Sequence, residues 1–214
     1  MSDIGGKRGL VLGKSGSGKS QLFERVMLSQ LKRSIIFDPE EEYDQLKGYV
    51  QIETIAALRS YIHANWKNDF KIVFVPKSSK IERDLDSVSA LVWKLQDKPY
   101  KTGLLSKKVT LVVDELQLGF PLHPNPDFEW FSQVITRGRK RGINVIGMTQ
   151  RPAKICTDFR GNLDTIHCLA LSAPVDWKAL REMMGGEAES ELRTAAQFAY
   201  LEWVNGVWEL KPPS

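Results

Sequence analysis

Residues Gly13-Lys14-Ser15-Gly16-Ser17-Gly18-Lys19-Ser20 follow an apolar run and open a helical pattern, with the spacing G-x-x-x-x-G-K-[ST]. Glycines at these places let the backbone curl so that successive N–H groups face an anion. Lys19 can then reach the outer phosphates of a polyphosphate, the Ser20 hydroxyl can coordinate Mg²⁺, and Gln21 follows on the helix beside the bound group. The pattern predicts ATP and Mg²⁺ as the cofactors.

A second group of residues supports the first. The apolar run Val109–Val113 ends in Asp114-Glu115. Asp114 is placed to share the Mg²⁺ shell with Ser20, and Glu115 to orient and deprotonate an attacking water, which favours hydrolysis over transfer to an acceptor. A third run, Gly142–Thr149, leads to Gln150-Arg151-Pro152. A polar amide at the end of a strand beside the phosphate loop lies where ligands bind in open α/β sheets, so Gln150 is expected near the outer phosphate and the water.

These side chains need a scaffold that brings distant strand ends together. Short β-branched runs alternate with longer helical patterns, the signature of a mainly parallel sheet flanked by helices. The expected strands are Gly9–Leu12, Ser34–Phe37, Lys71–Val75, Val109–Val113, Asn144–Met148 and Thr165–Leu171. Helices are expected over Lys19–Lys32, around Leu85–Leu95 and over Phe128–Arg141, the last ending at Gly142. Leu201–Leu210 reads as a hairpin turning at Asn205-Gly206. That register pairs Trp203 with Trp208 and sets Glu202 against Glu209, which is unfavourable without a nearby cation. The proline-rich stretch Gly119–Pro126 reads as a rigid surface connection.

Composition narrows the class. In 214 residues, 42% hydrophobic and 26% charged side chains exclude collagen-like and wholly disordered chains, and 1–214 is expected to be one domain. No leader pattern or apolar run near 18 residues is present, so no transmembrane segment is expected. Cys156 and Cys168 read as free thiols, and His63, His123 and His167 as structural or surface residues. The net charge of +4 permits a polyanionic partner without requiring one. Cations cluster at Arg137-Gly138-Arg139-Lys140-Arg141, at Lys77-Ser78-Ser79-Lys80 with Arg83, and at Lys98-Pro99-Tyr100-Lys101 through Lys107-Lys108. The last two are candidate contacts to a nucleic-acid backbone, with solvated lysines as the plainer alternative.

The order of these pieces resembles the FtsK/HerA superfamily of P-loop ATPases. The resemblance is carried by Gly13–Ser20, by Phe37-Asp38-Pro39-Glu40 with Tyr43, by Asp114-Glu115, and by Gly138–Ile143 running into Thr149-Gln150-Arg151-Pro152. It extends from about Leu10 to Leu180, including a helix over Asp176–Met184. It implies a RecA-like core of the additional-strand, catalytic-glutamate type, assembled as a homo-oligomeric ring, commonly a hexamer. In such a ring Gln150 would be the sensor and Arg139, or second Arg137, the finger reaching a neighbour's nucleotide. A core this short is similar to the genome-packaging ATPases of tailless icosahedral viruses with internal membranes. That implies sequence-independent DNA translocation in the host cytoplasm, with a capsid-vertex or membrane protein as recruiting partner and a place at the virion vertex. The competing readings are a P-loop small-molecule kinase, a phage-assembly ATPase acting on protein, and a nucleotide-binding switch without turnover.

Overall fold

Nine strands form one sheet in the computed structural model, which describes residues 5–213. Met1–Ile4, part of the segment read above as lacking a leader, and Ser214 lie outside the described residues. The strands are β1 (Arg8–Leu12), β2 (Arg33–Phe37), β3 (Val50–Ile52), β4 (Phe70–Phe74), β5 (Val109–Val113), β6 (Ile143–Thr149), β7 (Thr165–Cys168), β8 (Tyr200–Val204) and β9 (Val207–Lys211). They lie in the order β3-β4-β2-β5-β6-β1-β7-β8-β9. All pairs from β3 to β7 are parallel, and β7-β8 and β8-β9 are antiparallel. The ends of β1, β5 and β6 therefore reach one edge together. β6 stands between β1 and β5, the added strand that the resemblance implied.

The central strands are apolar throughout because both faces are covered. Leu10, Leu12, Ile35 and Phe37 point into one core and Val11 and Ile36 into the other, the period-two alternation of a strand. Helices α2 (Ile55–Asn65), α3 (Ile81–Lys101), α5 (Trp130–Arg137), α7 (Pro174–Met184) and α8 (Gly186–Thr194) contribute to the first core. Helix α1 (Lys19–Val26) covers the other with Leu22 and Phe23. Two single-turn helices, α4 (Leu116–Gly119) and α6 (Thr157–Arg160), complete the set.

The elements differ from the expected bounds where side chains intervene. Helix α1 stops at Val26, whose carbonyl accepts from Gln30 Nε2 at 3.0 Å, and a 3-10 turn over Leu28–Gln30 replaces its continuation. Helix α5 gives way to a 3-10 turn over Gly138–Arg141. There the buried Arg8 guanidinium has taken the Ile135 carbonyl at 2.9 Å, which a continuing helix would have offered to the Arg139 N–H. β7 ends at Cys168 because the chain then turns to meet the phosphate loop, with Ala170 O accepting from the Lys14 N–H at 2.8 Å. β3, α2 and α8 were not anticipated.

The hairpin has the expected register. Asn205 and Gly206 have φ of 49° and 97°, Trp203 opposes Trp208, and Glu202 opposes Glu209. Lys211 supplies the required cation, 3.6 Å from Glu202 and 2.6 Å from Glu209. The stretch Gly119–Pro126 is irregular beyond α4 and is pinned by a bridge from Pro121 to Ile155. Both cysteines are buried free thiols. His167 is buried, 3.3 Å from Glu202 and stacked on Tyr200. No helix among the described residues is long and apolar enough to cross a membrane.

Candidate functional site

The loop after β1 wraps a cavity of about 420 Å³ whose lining includes Lys14, Ser15, Gly16, Gly18, Lys19, Ser20 and Gln21. Gly18 has φ of 91°, which disfavours any side chain, and a Cβ there would meet the Phe198 ring at 3.3 Å. Gly13 is tighter still, since its Cβ would fall 2.3 Å from Ser17 Oγ. That hydroxyl is buried without a hydrogen-bond partner. Backbone bonds hold the loop at both flanks, Gly13 N–H to Thr149 O at 3.3 Å and Lys14 N–H to Ala170 O at 2.8 Å. The loop is thus suspended between the end of β6 and the segment that follows β7.

Lys19 is buried and points at the end of β5, its Nζ 3.4 Å from Asp114 Oδ1 and 3.9 Å from Glu115 Oε1. Asp114 Oδ2 is buried with no partner. Burial pushes the Asp114 carboxyl up to about 6; Lys19 opposes this, and the neighbouring Glu42 and Glu115 add to it. An unpaired buried carboxylate oxygen among further acidic groups is an unmet demand for a cation.

Glu42 is a residue that the sequence reasoning missed. Ser20 Oγ donates to Glu42 Oε2 at 3.0 Å, so a carboxylate occupies the hydroxyl assigned to the metal. The Asp38-Pro39 turn puts it there. Asp38 is wholly buried, and its two oxygens accept the N–H groups of Glu42 at 3.1 Å and Tyr43 at 2.8 Å. Tyr43 packs edge-on against Phe23 of α1 at 6.1 Å between ring centres, which closes the turn over the helix. The spacing Asp38…Tyr43 carried part of that signal, since a buried Asp that accepts from its own turn fixes where the intervening residues stand.

Glu115 has φ of 41°, a left-handed backbone rarely adopted by a residue other than glycine, Asn or Asp. Two amides hold its carboxylate. Gln150 Nε2 donates to Oε1 at 3.2 Å, and Gln117 Nε2 donates to Oε2. Gln117 in turn accepts from Thr149 Oγ1, and that oxygen accepts the Arg151 N–H at 2.9 Å. The chain of bonds ties Glu115 to the end of β6. Gln117 was also missed: it falls on α4, too short to show a periodic pattern.

The basic residues are dispersed. Arg139 lies at the opposite edge of the sheet from the phosphate loop. Its Nη1 is 2.6 Å from both oxygens of Asp164, and Nη2 donates to Asn162 O. Arg137 is exposed and has no ion pair among the described residues. Arg151 pairs with Asp176 at 2.9 Å. The two lysine segments are not brought together, because Lys77 follows β4 at the loop edge whereas Lys98–Lys108 precedes β5 at the other. Lys77 is 3.1 Å from Glu41 and 3.5 Å from Glu53, and Lys107 and Lys108 donate to the Lys67 and Gly5 carbonyls.

Comparison with known proteins agrees with this architecture. The fold is similar to the genome-packaging NTPase B204 of Sulfolobus turreted icosahedral virus 2, seen with AMPPCP, at TM-score 0.78 and 17% identity over 98% of each chain. It is similar to B204, the DNA-packaging ATPase of Sulfolobus turreted icosahedral virus, at TM-score 0.75 and 19% identity over 100% of both chains. VirB4 of Thermoanaerobacter pseudethanolicus matches at TM-score 0.70 and 13% identity, over 97% of this chain and 89% of that one. No curated protein matches in sequence. Residues 6–115, which span the phosphate loop, the Asp38 turn and the Asp114-Glu115 pair, match the family described as the helicase HerA central domain (DUF87). The chain therefore belongs to the HerA central-domain family, within the FtsK/HerA superfamily of P-loop ATPases.

Proposed function

We propose that this chain is an ATP-hydrolysing, Mg²⁺-dependent motor that translocates DNA without sequence preference, of the kind that packages a viral genome. The observation that carries the hydrolytic reading is the Glu115 carboxylate, held by two amides within 3.9 Å of Lys19 beside the phosphate loop. The packaging reading is supported by fold similarity to B204 along the whole of both chains.

In this reading Lys14–Ser20 cradle the phosphates through backbone N–H groups, and Gln21 follows them on α1. Ser20 and Asp114 fit a divalent cation, since the Asp114 Oδ2 oxygen is unpartnered and the Ser20 hydroxyl already faces a carboxylate. Bound Mg²⁺ neutralises charge developing on the phosphate oxygens. Lys19 shifts its ammonium from Asp114 toward the phosphates. Glu115 orients the attacking water and takes its proton, and Gln150 reports the state of the outer phosphate to Glu115. A ring of identical subunits would supply an arginine in trans. Arg139 would have to give up Asp164 to do so, whereas Arg137 is exposed, so that role falls first to Arg137. Such a motor would act in the cytoplasm of a host cell or at a capsid vertex, recruited by a capsid or membrane protein.

Phosphate release with and without double-stranded DNA, at low and at physiological salt, tests the proposal. Stimulation by DNA that fades as salt rises is expected for a motor that grips the phosphate backbone. Turnover indifferent to DNA, with no DNA binding at low salt, would sink the translocation reading and leave an ATPase acting on another substrate. Stoichiometric phosphorylation of a nucleoside monophosphate would point instead to a kinase.

Gln117 is a positioning residue in this scheme. Its replacement by Ala frees one oxygen of Glu115, and small misplacements of a reacting group cost up to about 100-fold in rate. Gln117→Ala should lower kcat roughly 10- to 100-fold with KM nearly unchanged. Steady-state kinetics showing an equal rise in KM would mean that Gln117 acts on binding instead.

A further inference from the structure

We propose that the loop joining α3 to β5, with the lysines around it, docks on an anionic lipid surface, Leu104 entering the apolar layer. The inference stands apart from the nucleotide reading, because this loop lies at the opposite edge of the sheet. β4, β2 and β5 are neighbours and run parallel, so their starts share the edge away from the phosphate loop. The segments that enter them there are basic. Lys32 precedes β2 and Arg33 opens it, Lys67 precedes β4, Lys107 and Lys108 precede β5, and Lys98 and Lys101 stand on the last turn of α3. Two carboxylates accompany them. Asp97 is taken by Lys101 at 2.6 Å and by Arg141 at 3.0 Å, and Asp69 lies 3.9 Å from Arg33 Nε. Lys32, Lys67, Lys98 and Lys107 are exposed and make no ion pair among the described residues.

An aliphatic side chain stands among these cations. Helix α3 ends in a closed cap: Gly103, with φ of 69°, donates its N–H to Tyr100 O at 3.2 Å, and Leu104 donates its N–H to Pro99 O at 2.9 Å. In such a cap the apolar residue at the position of Leu104 ordinarily packs back on the helix. Here Leu104 is held by the cap and is nevertheless 74% exposed. Tyr100, on the same turn, is exposed as well. A nucleic acid would offer phosphates to the lysines but no apolar layer to the leucine, whereas a bilayer with acidic headgroups offers both.

Beside Leu104 is a cavity of about 260 Å³, lined in part by Arg33, Trp66, Lys67, Pro99 and Lys107. The Arg33 guanidinium is buried there, 4.7 Å from the centre of the Trp66 ring, and its Nε has no hydrogen-bond partner. A lipid phosphate fits this site, meeting a guanidinium and two lysines while Leu104 packs among the acyl chains. Apolar insertion and attraction to acidic headgroups each give weak, reversible binding, and together they hold a protein at the surface. The phosphate loop stays open to solvent in the docked state.

Flotation of the full chain with phosphatidylcholine vesicles, with and without phosphatidylglycerol, is the test. The parent should float with the anionic vesicles at low salt, less so at physiological salt, and remain behind with the neutral ones. Leu104→Ser should lower the apparent affinity roughly tenfold. Replacing Lys98 and Lys107 together by Gln should lower it by about tenfold or more. Leu104→Trp should bind like the parent, since an indole also suits the headgroup level. These side chains are exposed, so thermal unfolding of each variant should match the parent, and Leu104→Ser should bind double-stranded DNA as the parent does. A parent that ignores anionic vesicles at low salt would overturn the proposal, and so would Leu104→Ser floating like the parent. Loss of DNA binding by the lysine variant, with its vesicle binding intact, would assign the face to nucleic acid and overturn the proposal too.

Discussion

Glu115→Gln lowers ATP turnover by roughly 100- to 10,000-fold, the contribution typical of a general base, while nucleotide binding survives. In the proposed mechanism the carboxylate accepts the proton of the attacking water, and its contact to the cradle is the 3.9 Å approach of Lys19. Its replacement also subtracts a negative charge beside Asp114, whose carboxyl is pushed up to about 6 partly by that neighbour. Nucleotide affinity in the presence of Mg²⁺ should therefore hold or tighten. A glutamine has one acceptor oxygen, so it cannot satisfy the Gln117 and Gln150 amides as the carboxylate does. Glu115→Asp provides the control, because it keeps the charge and withdraws it by one methylene. It should also lose most turnover, which separates position from charge. Phosphate release and equilibrium binding measured on the same preparations decide the matter. Turnover of Glu115→Gln within tenfold of the parent would remove Glu115 from the mechanism.

Arg8→Leu should destabilise the fold by about 2–4 kcal/mol, the cost of leaving several buried carbonyls without their shared donor. Arg8 is fully buried at the start of β1. Its Nε donates to Ile135 O at 2.9 Å, Nη1 to Ile143 O at 2.7 Å, and Nη2 to Val134 O at 2.6 Å. Burial lowers its pKa to about 10, with Arg139 adding to the shift and Asp164 opposing it, so the guanidinium stays charged at neutral pH. The charge answers the carbonyl end of α5, where a cation also complements the helix dipole. Leucine would fill much of the space and leave the Ile135 and Ile143 carbonyls without this donor. Arg8→Lys keeps the charge but not the planar fork, so it should recover only part of the loss. Chemical denaturation of the three proteins is the test, and a Leu variant within 1 kcal/mol of the parent would show that the network contributes little. Because Arg8 opens the strand that leads to Gly13, the loss should loosen the phosphate loop as well as the helix.

Much of the site was legible in the amino-acid order because its chemistry is local. Gly13–Ser20 must curl, Lys19 and Ser20 must follow the last glycine, and Asp114-Glu115 must end an apolar strand. Each requirement concerns neighbours along the chain. The parallel architecture was legible for a similar reason: strands buried on both faces read as continuous apolar runs, and an Asn-Gly pair sets a hairpin register by its own backbone preferences. The same reading set a condition without naming the residue, a cation near Glu202 and Glu209, and Lys211 meets it.

Other features depend on contacts between distant segments, which no local pattern encodes. β3 has three residues at the sheet edge, and α2 buries only Leu58 and Ile62, so neither carries a strong period. Helix α5 tightens at Gly138 because of a guanidinium more than 120 residues away. Glu42 meets Ser20 only because Asp38 folds its turn over α1, and Gln117 meets Glu115 and Thr149 only because β6 lies beside β5. Arg139 illustrates the converse. The resemblance made it the first candidate finger, yet Asp164, 25 residues on, binds it at the far edge of the sheet. The sequence by itself determined which groups stand on the loop after β1 and at the ends of β5 and β6. The tertiary structure decided which of them are held, paired or exposed, because charge pairing and burial are set by distance in space rather than distance along the chain.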